Sequence, residues 1–233
     1  MNEVKENENL ISFWDSVYTM SDEDKEEALK GDPDGWKNDA PCEKLYNAAS
    51  TLGRCKKMLD YGCGDAWGSV IAAKNGCPDV TAVDVSEHIA EVAGLSVKLY
   101  GVEEQVKTAC VSTDYLHTVP DETFDGIFCS NVLDVVPPKT AKDIVEQMAR
   151  ITTEGAEVVI GMNYYISRED AAGKGMEIDE NGLMHVDGVL RLVPKTDEEW
   201  TEIFSKYFTV KKLDYFAWPG EPNERRRLFF LIK

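Results

Sequence analysis

The chain has 233 residues, 43% hydrophobic and 9% aromatic, enough apolar material for one large domain with a substantial core and too much for a disordered chain. Lys and Arg total 25 against 43 Asp and Glu, a formal charge of −18, and a field of that sign repels phosphate backbones and anionic membrane surfaces. Nucleic acid is excluded as a partner on that ground.

Leu10, Phe13, Trp14, Val17 and Tyr18 recur at helical spacing, which predicts one helix from about Asn9 to Leu29, the charged run SDEDKEEALK continuing it. The turn-rich GDPDGWKNDAP breaks the pattern, and Pro41 opens a second helix reaching about Leu52. From Lys56 short apolar runs alternate with helix-length segments, the signature of βαβ units and a parallel sheet. Strands are expected near residues 56–61, 80–85, 106–111, 124–130 and 156–162, with helices near 66–75, 87–99 and 138–152.

After Met162 the alternation stops, and turn signals at Glu180-Asn181-Gly182 and Val186-Asp187-Gly188 point to an insertion with a small hairpin. TDEEWTEIFSKYF resumes as a helix with Thr196 as N-cap. Two final strands, near 208–217 and 226–232, form an antiparallel closing pair, and the basic run ERRRLFF reads as a solvated beginning to the second. An apolar hairpin in the insertion offers a face for a second copy, so a homodimer is one expectation.

The opening MNEVKENENLISFW has no basic region followed by an apolar one, and no apolar run approaches the ~18 residues of a membrane span. A cytoplasmic protein without membrane contact is expected. Six cysteines (42, 55, 63, 77, 110 and 129) form no Cys-x-x-Cys pair, which suits reduced, buried thiols; neither a structural zinc site nor any other metal is expected.

The chemistry concentrates in MLDYGCGDAWGS, Met58 to Ser69. Gly62 and Gly64 fall at the first strand-to-helix turn, where glycine lets backbone approach a ligand and the following helix offers unpaired N–H groups. Asp84 ends the second strand 20 positions after Gly64, the separation of an acid that holds ribose hydroxyls. A dinucleotide fingerprint needs a third glycine where Trp67 stands.

LDYGCGDAWG resembles motif I of the class I S-adenosylmethionine-dependent methyltransferases, in their small-molecule, methyltransferase type 11/25-like branch. VTAVDVS, VSTDYLHTVPDETFDGIFCSNVLDVV and VEQMARITTEGAEVVIGM are similar to the segments that follow in that family. The resemblance implies an α/β Rossmann-like sheet of seven strands, mostly parallel with an antiparallel last strand and helices on both faces. An N-terminal helical lid and a hairpin insertion after strand five complete it. It implies one methyltransferase domain over 1–233: lid 1–55, cofactor core 56–162 and 196–233, and substrate-side insertion 163–195.

Carried onto these positions, S-adenosylmethionine is the cofactor and S-adenosylhomocysteine the product. Asp60, Gly62, Cys63, Gly64 and Asp65 would shape the methionine end of the pocket, the alternative for Asp65 being a helix N-cap. Asp84 and Val85 would meet the ribose, and Thr113, Asp114 and Tyr115 the adenine. Ser130 and Asn131 would line the active site, with Trp14 and Tyr18 from the lid above the sulfonium. His185 is the candidate base of the insertion and Arg191 the anchor for an acceptor carboxylate; His88 and His117 read as structural.

The reaction expected is metal-independent, in-line methyl transfer to oxygen or nitrogen of a small-molecule acceptor. SNVLDVVPP lacks the Asn/Asp-Pro-Pro-aromatic tetrad of nucleic-acid amino-methylating relatives, and no Asp-Asn dipeptide of the metal-dependent catechol type occurs. Two rival readings stay open: a cofactor-binding regulator or partner without turnover, and a nicotinamide-dependent oxidoreductase, which Trp67 disfavours.

Overall fold

Residues 3–233 are described by the structure, a computed structural model. Their elements are, in order, α1 (Glu3–Val17), α2 (Asp22–Ala28), α3 (Glu43–Thr51), β1 (Met58–Tyr61), α4 (Trp67–Lys74), β2 (Val80–Asp84), α5 (Glu87–Leu99), β3 (Val106–Cys110), α6 (Tyr115–Thr118), β4 (Phe124–Ser130), α7 (Pro138–Ile151), β5 (Thr152–Met162), α8 (Arg168–Gly173), β6 (Glu177–Ile178), β7 (Met184–Val186), β8 (Val189–Leu192), α9 (Asp197–Phe204), β9 (Thr209–Phe216) and β10 (Arg226–Ile232).

Among the described residues, seven strands form one sheet in the order β3-β2-β1-β4-β5-β10-β9. β1 to β5 are parallel, and β10 runs antiparallel to both β5 and β9. Side chains alternate across this sheet with period two. Leu59, Tyr61, Ile127, Cys129, Val158, Ile160, Phe229 and Leu231 enter the core shared with α1, α7 and α9. Met58, Val80, Ala82, Phe128, Val159 and Leu228 enter the opposite core, under α3, α4 and α5. Burial on both faces explains why these strands read as continuous apolar runs.

The single N-terminal helix expected from the sequence is two. Ser21 Oγ accepts from Asp24 N–H and the Asp24 carboxylate accepts from Ser21 N–H, both at 3.1 Å, a capping box that begins α2 afresh. Phe13 and Val17 also leave the anticipated face: Val17 is 54% exposed, and Phe13 turns to the insertion. α1 is fastened at its far end, where Asp15 accepts from Ser86 Oγ at 2.6 Å and lies 3.0 Å from His88 Nδ1. His117 Nε2 meets Asp143 at 2.9 Å, bridging α6 to α7.

The insertion is more than a hairpin. α8 is followed by a separate three-stranded antiparallel sheet, β6-β7-β8, whose central turn holds Asp187 and Gly188 at φ +51° and +74°, as a two-residue hairpin loop requires. Leu183, Met184, Leu190 and Leu192 are buried within this chain, so the apolar residues that suggested a dimer face are used internally. Four of the cysteines are buried, Cys42 is half-buried and Cys110 exposed; all are free thiols. Among the described residues no helix is long and apolar enough to cross a membrane.

Candidate cofactor and active site

Strand order reverses at β1, whose neighbours β2 and β4 continue in opposite directions. Such a switch point leaves a crevice beyond the carboxyl ends of the strands. A cavity of about 470 Å³ occupies it, within the ~300–1,000 Å³ range of small-molecule sites.

The elbow after β1 is the floor of this cavity. Gly62 has φ +71°, and a Cβ there would lie 2.3 Å from Val132 Cγ2. Gly64 has φ +56° with open space where its Cβ would be, so its backbone is bare to whatever fills the cavity. Ala66, the N-cap of α4, is held in the left-handed region at φ +64°. A side chain at Gly68 would strike the Phe128 ring at 2.9 Å, and Trp67 meets that ring edge-on, centroids 5.2 Å apart. The indole is therefore a wedge between α4 and β4, in the place where a dinucleotide-binding helix closes on its strand.

Among the described residues four carboxylates line the cavity, Asp39, Asp60, Asp65 and Asp84, and no lysine, arginine or histidine does so. Asp84, at the end of β2, accepts from Ser86 N–H at 3.2 Å and Gly64 N–H at 3.4 Å; burial pushes its carboxyl above the ordinary carboxylate range. Asp60 is 2% exposed beneath the elbow and accepts from Ser69 Oγ at 2.6 Å. Burial pushes it up to about 7, against the opposing hydrogen bond from Ser69.

Between the unfolded carboxylate value near 3.8 and about 7, Asp60 holds a proton in the folded chain and not in the unfolded one. Stability from this site is therefore complete below that lower value and falls as pH rises through about 7. Urea unfolding near pH 5 and near pH 8 is expected to show wild type losing about 2–3 kcal/mol more than Asp60→Asn over that interval. Equal losses would show that Asp60 ionises freely in the fold.

At the end of β4, Asn131 adopts φ +57°. Its N–H donates to Gly161 O at 2.8 Å, while its Oδ1 is buried with no hydrogen-bond partner. Asn131 lies on the cavity wall, so an unpaired acceptor stands beside the ligand space. The roof comes from α1 through Asn7, Leu10, Ile11 and Trp14, and from Tyr18 just past its end. The Tyr18 hydroxyl is held above its ordinary range by burial and by the Asp65 and Asp84 charges.

Residues 58–155 match a family model described as a methyltransferase domain. That segment is similar to the S-adenosylmethionine-dependent methyltransferases. S-adenosylmethionine is the cofactor of that class, and the bare Gly64 backbone with the buried Asp84 carboxylate fits it. Among relatives, the ubiquinone biosynthesis O-methyltransferase of Neisseria meningitidis serogroup C (strain 053442) is 24% identical over 152 residues, 65% of this chain and 59% of that protein. The Burkholderia thailandensis 1,6-didemethyltoxoflavin-N1-methyltransferase, solved with 1,6-didemethyltoxoflavin and S-adenosylhomocysteine, shares the fold with a TM-score of 0.71. Identity is 16%, covering 100% of this chain and 91% of that one. A Mesorhizobium loti S-adenosylmethionine-dependent methyltransferase gives 0.62 at 18% identity, covering 88% and 100%.

In the matched segment and its flanks, Gly62, Cys63, Val85, Thr113 and Ser130 also line the cavity. Asp114 and Tyr115 do not. Asp114 is exposed at the start of α6 and bonded to Ser112 Oγ, and Tyr115 packs on the core. Asp65 is not the N-cap of α4, because Ala66 takes that position.

His185 is 4% exposed in β7, outside the cavity lining. Arg191 is also outside it, its guanidinium stacked on Phe13 at 4.3 Å and Trp14 at 5.4 Å. Asp39, Pro41, Leu45, Trp218 and Pro219 line the cavity and were not anticipated. Asp39 and Pro41 sit in the turn-rich link to α3, Leu45 in the first turn of α3 itself, and the last two in the loop between β9 and β10, where no motif marks a binding role.

Proposed function

We propose that the chain transfers the methyl group of S-adenosylmethionine to an oxygen or nitrogen atom of a small-molecule acceptor, without a metal. The observation that carries this reading is the cavity itself: four aspartates and no cationic side chain around a glycine elbow. Such a field favours a cationic ligand and disfavours an anionic one. When bound, the cofactor supplies an activated methyl on a positively charged sulfur.

Asp84 takes the ribose hydroxyls, and the Asp60–Asp65 elbow receives the methionine end. Val111 and Thr113 border the adenine. Trp14 and Tyr18 exclude water above the reacting centre and present ring faces to positive charge. Ser130, Asn131 and Val132 form the acceptor end, the Asn131 Oδ1 accepting a hydrogen bond from the nucleophile's own N–H or O–H.

With no histidine on the wall, positioning carries the rate, a contribution that reaches about 7–11 kcal/mol in the best cases. The acceptor is then neutral or cationic, which fits neither a carboxylate anchor at Arg191 nor a base at His185. The Neisseria and Burkholderia relatives, named as O- and N-methyltransferases, support this acceptor range.

Calorimetry with S-adenosylmethionine and S-adenosylhomocysteine, followed by transfer of labelled methyl to neutral phenols and nitrogen heterocycles, tests the reading. Micromolar binding and label transfer to a neutral acceptor are expected. A folded chain that binds neither cofactor form overturns it.

A further inference from the structure

A second cluster of titratable groups lies outside the cavity, where α1 crosses the small sheet. Glu6 of α1 and His185 of β7 are 6% and 4% exposed, and a donor atom from each, with one from Asp179, all lie within 4.8 Å of one another. The His185 Nε2 to Glu6 Oε1 separation is 3.8 Å, too long for a hydrogen bond, and Nε2 has no hydrogen-bond partner. Burying a carboxylate beside an unsatisfied imidazole nitrogen is costly in a folded chain.

We propose that Glu6, Asp179 and His185 bind one divalent transition-metal ion, of the zinc(II) type, which ties α1 to the insertion. An ion bonded at about 2.0–2.2 Å to nitrogen and oxygen in tetrahedral geometry separates its donors by about 3.3–3.5 Å. The observed spacing closes to that with small side-chain adjustments. It neutralises the two carboxylates and uses the Nε2 lone pair. The imidazole selects against calcium and magnesium, which prefer oxygen alone. Three protein ligands leave a fourth position for water.

The ligands are held in advance. Asp179 Oδ1 accepts from Asn181 N–H at 2.9 Å and Leu183 N–H at 2.8 Å, which fixes its carboxylate in a turn closed by Gly182 at φ +82°. His185 is paired to Glu177 on one side and Leu190 on the other. The missing cysteine pairs therefore exclude only a thiolate site; this one joins residues far apart in sequence. Because α1 also carries Leu10 and Trp14 over the cavity, metal occupancy would set the position of that roof.

The untagged full chain, stripped with chelator, is titrated with Co²⁺ by visible absorption and with Zn²⁺ against a chromophoric chelator. One equivalent is expected, with tetrahedral d–d bands and no thiolate charge-transfer band. Glu6→Gln and His185→Gln, checked for folding by circular dichroism, should bind more than ~10-fold more weakly, at least the loss seen when an outer partner of a ligand is removed. A Cys42→Ser/Cys110→Ser chain should bind as wild type. Asp179→Asn keeps an oxygen for the two turn N–H groups and serves where the other variants fold poorly. No bound equivalent, a thiolate band, or unchanged affinity in the folded ligand variants overturns the proposal.

Discussion

Asp84→Ala is expected to weaken S-adenosylmethionine binding at least ~100-fold while the chain stays folded. A carboxylate accepting from both ribose hydroxyls makes two hydrogen bonds to a charged group, each contributing about 1.5–3 kcal/mol. Asp84 also accepts from Ser86 and Gly64 N–H groups, so part of the loss could arise from a loosened elbow. Asp84→Asn separates the two: its amide oxygen still serves Ser86 but offers no charge to the ribose. Calorimetry on both variants checks this. A loss under ~3-fold in the alanine variant, or full affinity in the asparagine one, would remove Asp84 from the ribose.

Arg227→Met is expected to destabilise the fold by about 3–5 kcal/mol, the cost of leaving a buried charge without its partner. Arg227 is 1% exposed and Asp134 fully buried. The guanidinium donates to Asn163 O and Lys195 O, both at 2.7 Å, and lies 3.4 Å from Asp197. Burial pushes Asp134 up to about 6, and the charge of Arg227 opposes that rise. Asp134 also accepts from Asn163 N–H at 2.7 Å, so Arg227→Met/Asp134→Leu should recover only the part of the loss that comes from the uncompensated Asp134 charge. Urea midpoints of the two variants measure it; a single variant within ~1 kcal/mol of wild type would show that water already solvates the guanidinium.

The reading of ERRRLFF as a solvated run failed at this residue for a definite reason. Alternation places Arg227 on the inward face of β10, and the carbonyls of two distant segments together with the Asp197 and Asp134 carboxylates make that tolerable. Composition cannot show such partners. The central strands were legible because burial on both faces leaves unbroken apolar runs, and the elbow because its conformations demand glycine.

The N-terminal helix was misread because charge density hid the capping box at Ser21. His185 looked like a surface or cavity residue because its neighbours Glu6 and Asp179 come from a helix and a turn remote in sequence. The roof was half visible: Trp14 and Tyr18 share a helical face with Asn7, Leu10 and Ile11, whereas Trp218 arrives from a loop that carries no pattern.

The hydrogen bonds of Arg227 to Asn163 and Lys195 fall where the chain leaves the main sheet after β5 and where it returns before α9. One side chain thus clamps the neck of everything between. With the ends fixed, the cost of changing the enclosed length grows only as its logarithm, about 0.6 kcal/mol per doubling. The segment is built as an exchangeable cassette: transplanting a foreign one between these two carbonyls would re-tailor the surface beside the roof and leave the elbow and Asp84 undisturbed.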